Sequence, residues 1–219
     1  MKSRVSIALL LAASACALAF VTAALGADPG HPRVRAVYVA HLSPMNAAVV
    51  GSKTTGEARF EIRGGNLVID IKVSGAPPDM THWQHFHGFR DGRAATCAAP
   101  SADRNGDGIV DLVETEPASG TTMVPFDDAP AKMDVANGIY PRASADGSYS
   151  YHKVVSLKAL RTAFAKAFGT PKIDLDKRVV YIHGIPADTK LPSTVASLGP
   201  IPAQVTLPIA CGRIELVHR

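Results

Sequence analysis

Between Gly56 and Val73 the chain alternates apolar and charged residues for two strand lengths. Ala58, Phe60 and Ile62 take turns with Glu57, Arg59, Glu61 and Arg63. After Gly64-Gly65-Asn66, Leu67, Ile69, Ile71 and Val73 take turns with Asp70, Lys72 and Ser74. Successive strand side chains point to opposite faces, so a period of two buries one face and wets the other. A Gly-Gly-Asn tract between two such runs is a tight turn. The segment therefore predicts an antiparallel hairpin with one buried face.

The remaining chain is punctuated in the same short units. Residues 35–42 alternate and predict a first strand, and Gly75-Ala-Pro-Pro-Asp79 is a turn, because two prolines cannot continue a central strand. Further strands are expected at 82–89, 123–126, 147–157 and 176–183, and residues 205–217 close the chain. Residues 88–120 read as a loop broken by Pro100 and Pro117. One helix interrupts the pattern. Ser156 is its N-cap, Leu157, Leu160, Phe164 and Phe168 form its apolar stripe, and Gly169 and Pro171 stop it. The stripe suits a lid packed on a sheet edge. With 47% hydrophobic and 19% charged residues the chain has enough apolar side chains for a core. Seven or eight short strands predict an all-β Greek-key sandwich or barrel with one inserted short helix and long loops.

The first residues read as an export leader. Met1-Lys-Ser-Arg4 is cationic, Val5 to Ala24 carries no charge, and Ala24-Leu25-Gly26 offers small residues for cleavage. The expected organisation is a signal peptide at 1–26, a Pro/Gly tether at 27–34 and one domain at 35–219. The expected location is periplasmic or extracellular, with membrane attachment only if the leader stays uncleaved. Removing Lys2 and Arg4 lowers the net charge from +4 to +2, which gives no argument for a nucleic-acid partner. With Cys16 in the leader, Cys97 and Cys211 remain as an even pair, which in an oxidising compartment predicts a disulfide.

The histidines carry the first candidate chemistry. In an extended segment His85 and His87 project to the same face, as two ligands of one metal ion require, while Phe86 points into the core. His183 ends another strand, before a Gly-Ile-Pro loop. Imidazole suits copper, zinc or nickel, and a strand pair plus a third histidine favours copper. A fourth ligand is open among His41, His82 and His152, with His82 of the opposite parity to His85.

These residues carry a family resemblance. HFHGFRDG with Cys97 beyond it resembles the metal strand of Cu,Zn superoxide dismutases, and RVVYIHGIPAD resembles their penultimate strand with its last copper histidine. Pro208-Ile-Ala-Cys-Gly212 resembles the C-terminal strand that supplies half of the family's disulfide, and ADGSYSYHKVVSL resembles the turn and strand before that histidine. The hairpin followed by a histidine-rich strand is equally similar to CHRD domains, which are sandwiches of similar build. The resemblance implies a superoxide dismutase-like sandwich with copper on His85, His87 and His183. Two departures qualify the activity it implies. No histidine lies between Cys97 and Ser150, so no zinc site of the dismutase type is expected, and Pro208 stands where the family has its guiding arginine. The alternatives are a copper-only, dismutase-like oxidoreductase and a non-catalytic CHRD-like binding or matrix module with structural histidines.

A second, oxygen-rich candidate follows Cys97. Asp103, Asn105, Asp107, Ile109, Asp111 and Glu114 fall at the ligand positions of the twelve-residue D-x-N-x-D-G calcium loop, with Gly108 at its sharp turn. Ile109 offers its carbonyl and an apolar side chain that pins the loop to its neighbours. Pro100 and Pro117 argue against the flanking helices of a full EF-hand, so a bound Ca²⁺ is expected to order the connection and not to signal.

Overall fold

The computed structural model describes residues 33–51 and 53–219. The predicted leader at 1–26 and all but the end of the tether at 27–34 lie outside them. The elements run β1 (Val34–Pro44), α1 (Ala47–Val50), β2 (Thr55–Arg63), β3 (Asn66–Ser74), β4 (Gln84–Gly88), α2 (Leu112–Ser119), β5 (Thr121–Pro125), β6 (Tyr149–Ser156), α3 (Leu157–Phe168), β7 (Val179–His183), α4 (Ala203–Thr206), β8 (Pro208–Arg213) and β9 (Glu215–His218).

The strands form one curled antiparallel sheet in the order β5-β4-β7-β8-β1-β2-β3-β6, with β9 also paired to β1. The hairpin predicted from alternation is β2–β3, in register from Thr55↔Ser74 to Arg63↔Asn66. Its two turn residues, Gly64 and Gly65, have φ of 55° and 82°, the left-handed pair that matches the twist of the strands. β1 joins the two halves of the sheet. It pairs with β2 along its length, with β9 at Val37–Val39, and with β8 at Ser43 and Pro44. The connections β3–β4, β5–β6 and β6–β7 cross between the halves, which gives the sheet its Greek-key character.

Curling the sheet brings the apolar faces of both halves together. Phe60, Leu67, Ile69 and Ile71 from one half meet Phe86, Val124, Val180, Ile182 and Ile209 from the other, all fully buried. Each such side chain contributes roughly 1.5–3 kcal/mol of transfer free energy. Phe126 links the halves, with its ring centroid 5.6 Å from Phe60 and 5.9 Å from Phe86. α3 starts at its predicted cap, where the Ser156 hydroxyl accepts from the Ala159 amide, and ends at Gly169. It packs Leu157, Leu160 and Phe164 into the same core, with Phe164 reaching Phe86.

Two expectations are corrected. The chain's last segment is two strands, so the described residues hold nine. The break falls at Ile214, whose side chain is buried and whose amide donates to the Arg178 carbonyl and not to a ladder partner. The loop from 88 to 120 contains a helix, α2, in spite of Pro117. Asp111 caps it by accepting from the Val113 and Glu114 amides, and the Glu114 carboxylate accepts from the Asp111 amide in return. This capping box satisfies donors that a helix start leaves orphaned. Pro117 removes one internal hydrogen bond from a helix of eight residues, which the box and the Gly120 amide bond to the Glu116 carbonyl offset.

Candidate metal centre

Period two sets the site. On β4, Phe86 faces the core, so His85 and His87 face away from it; on β7, Val180 and Ile182 face the core, so Tyr181 and His183 face away. The two strands pair with His85 opposite Tyr181 and His87 opposite Val179. That outer face is covered. The 89–120 connection returns over it, tied by the Cys97–Cys211 disulfide, and packs Ala95 against Val179, Tyr181 and Cys211. The paired cysteines agree with the sequence expectation.

The three histidines come together under this cover, only 3–4% exposed. One ring nitrogen from each lies within 4.8 Å of the others, and they form the one such group of three or more histidine, cysteine or acidic residues among the described residues. Ring centroids are 4.8 Å apart for His85–His87 and 4.5 Å for His85–His183.

Backbone carbonyls set the proton positions. His87 Nδ1 lies 3.0 Å from the Gly120 carbonyl, and His183 Nδ1 lies 2.7 Å from the Thr206 carbonyl. A carbonyl only accepts, so both rings carry their proton on Nδ1 and present Nε2 as a lone pair. His87 Nε2 accepts from the Thr122 hydroxyl at 3.2 Å. His183 Nε2 and His85 Nδ1 are buried with no hydrogen-bond partner. Leaving a buried polar atom unsatisfied costs about 1–3 kcal/mol, so two in one cluster mark a place built for something else to bind.

Burial also holds the rings neutral. It pushes His85 well below the usual histidine range, helped by repulsion from His183 and His87. It takes His87 to about 4 and His183 to about 3, with the accepting carbonyls opposing only in part. Neutral imidazoles are the metal-ligating form, and ring N–H groups anchored on carbonyls are the usual outer support of such ligands. The residues fit a metal ion.

The fourth-ligand candidates do not join the cluster. His41 is exposed beside Glu57, and His152 is exposed on Asp70 at 2.7 Å. His82 is fully buried, with Nδ1 3.0 Å from the His183 carbonyl and Nε2 2.8 Å from that of Pro77. It is stacked on Tyr149 and serves as a strut for the His183 backbone. Tyr181 was legible only as the residue two before His183. Its ring lies 4.8 Å from that of His87, while its hydroxyl meets Ser119 and accepts from the Ala98 amide. The supporting carbonyls of Gly120 and Thr206 carried no sequence signal. Gly120 sits at φ 72°, and a Cβ there would strike the Gly88 carbonyl, so a larger residue would displace the carbonyl that holds His87.

In the oxygen-rich loop the side chains are turned onto backbone amides. Asp103 accepts from Gly106 and Gly108, Asn105 from Asp107, and Asp107 from Ile109 and the Thr194 hydroxyl. Asp111 also accepts from the Ala196 amide, and Glu114 from that of Arg104. Ile109 is buried, as expected, and Gly108 has φ 83°.

Fold and site together define an all-β, disulfide-bonded protein whose three buried histidines are able to hold a metal ion. Comparison with protein-family models and with curated proteins finds no match to the chain.

Proposed function

We propose that the chain is an exported metal-binding protein that holds copper on His85, His87 and His183 and calcium in the 103–114 loop. The observation that carries the copper reading is the pair of buried, unpartnered nitrogens, His85 Nδ1 and His183 Nε2, beside His87 Nε2, which only the Thr122 hydroxyl engages. Export is supported by the leader-like first residues and by a disulfide, which persists in oxidising compartments. Binding in preference to turnover is supported by the closure of the cluster and by Pro208 in place of the guiding arginine the resemblance calls for.

Copper titration of the purified apoprotein tests this reading. One copper per chain is expected, with nitrogen hyperfine structure in its electron paramagnetic resonance spectrum. If four-ligand sites bind with about 10–16 kcal/mol, one ligand is worth about 3 kcal/mol, so His183→Ala should weaken binding roughly a hundredfold. A wild-type protein that takes up no copper at micromolar concentration would sink the proposal. Superoxide turnover of the loaded protein is expected to stay at the background of the buffer; clear turnover would favour the oxidoreductase alternative.

For calcium the support is the spacing of the six ligand positions, the left-handed Gly108 and the buried Ile109. Glu114→Gln separates the two roles of that residue, because glutamine keeps the capping box while losing the charge. Calcium should raise the melting temperature of the wild type and not of the variant, whereas the two should melt within a few degrees of each other in EDTA. Equal calcium stabilisation of both proteins would remove Glu114 from the site.

A further inference from the structure

On the core side of β7, away from the histidines, Arg178 is 1% exposed. Its Nε donates to the Ile173 carbonyl at 2.8 Å and its Nη1 to the Phe89 carbonyl at 3.2 Å. A guanidinium has five N–H donors, so three remain without a protein acceptor among the described residues. Asp174 and Asp176 are near enough to attract it, but no carboxylate oxygen among the described residues lies within 4.0 Å of it, and Asp174 is paired with Lys177 at 3.5 Å. Arginine stays protonated in proteins, and a buried cation is ordinarily paired, because its burial without an anion is costly. The fold makes room for it. A Cβ on Gly88 would collide with the Arg178 side chain.

Arg178 lines a cavity of about 300 Å³ under the C-terminal end of α3. Two further cations, Arg90 and Lys172, line it without an ion-pair partner among the described residues, and Arg90 lies 5.4 Å over the Phe168 ring. The apolar walls are Phe89, Phe164 and Phe168, with Arg178 itself 5.8 Å from the centre of Phe164. Asp91 and Asp174 also line the cavity, each beside a cation of its own, Arg93 and Lys177. Arg178, Arg90 and Lys172 therefore leave the lining net positive, and with the aromatic walls it suits an anion with a flat apolar body. A carboxylate suits the fork of a guanidinium, and the volume is at the small end of ligand pockets.

We propose that this cavity is a binding site for a small aromatic carboxylate, with Arg178 as its anchor and Arg90 and Lys172 at its rim. The site is independent of the metal reading, since it lies on the opposite face of β7 and uses none of the histidines.

Calorimetric titration of the full chain with benzoate tests it, with benzamide as the uncharged control and inorganic phosphate as the anion without a ring. Saturable benzoate binding is expected with a Kd of about 1 mM or tighter, at least tenfold tighter than benzamide. Arg178→Met should abolish it. Should that variant fail to fold, Arg90→Ala and Lys172→Ala, which leave the floor intact, should each weaken benzoate several-fold and leave the melting temperature of the free protein unchanged. Benzoate that does not saturate, benzamide that binds equally well, or phosphate that binds where benzoate does not would overturn the assignment.

Discussion

Acidifying the metal-free protein from pH 7 to pH 4 is expected to destabilise it progressively, with the loss beginning near pH 6.5, before surface carboxylates titrate. The sign follows from the histidines. The unfolded chain takes up protons on them as the pH falls through about 6.5, but burial holds His87 down to about 4 and His183 to about 3 in the folded state, with His85 also well depressed. The unfolded state thus binds more protons across this window, so stability is full above it and declines on acidification. Each of His87 and His183 costs on the order of 3 kcal/mol by pH 4. The individual steps belong to the cluster as a whole, because the first proton to enter repels the next. A loss of about 6 kcal/mol is comparable with the total stability of an ordinary domain. Urea unfolding followed from pH 7.5 to pH 4 measures it, and a free energy that stays flat across that range would contradict the buried, neutral cluster. If the trio holds copper as proposed, loading should shift the acid transition downward, since protons and metal compete for the same lone pairs.

Replacing Cys211 by serine should remove about 2–5 kcal/mol of stability. The bridge to Cys97 closes a loop with a sequence separation of 114, near the upper end of what loop-closure entropy gives. The effect on the folded state is more local. Cys97 lies in the stretch whose Ala95 amide donates to the Lys177 carbonyl and whose Thr96 amide donates to the Ala118 carbonyl. These contacts persist without the bridge, so the variant should fold with its cover looser over Tyr181 and the histidines. Denaturant melts with and without reductant measure the loss. If reductant leaves the wild-type melt unchanged, the bridge contributes nothing.

How much of this was legible in the sequence depended on whether a signal was local. The β2–β3 hairpin and α3 announce themselves through alternation and caps, and both appear within a residue or two of the expected bounds. The histidine trio was legible because parity puts His85 and His87 on one face and because His183 closes a strong strand. α2 carries no clear local signal, because its two capping residues, Asp111 and Glu114, also read as calcium ligands and Pro117 reads as a breaker. The break at Ile214 depends on a tertiary bond to the Arg178 carbonyl, which no local pattern carries. Within DKRVVYIH, Arg178 looked like any charged residue before a strand. Only the approach of α3 and Gly88 shows it to be buried.

The double membership of β1 has a kinetic consequence. Its partner β2 follows after the short segment 45–54, but Ser43 waits for Cys211 and Val37 for His218, so the sheet closes only when β8 and β9 have been made. Pairings this distant in sequence make folding slow and place its final step after synthesis of β8 and β9. Until then β1 offers an open edge, and the apolar faces that later enclose Phe60 and Phe86 stay exposed. A chain of this topology emerges from the ribosome as an unclosed sheet, and its aggregation during production should respond more to the speed of release and to chaperone supply than to the stability of the finished fold.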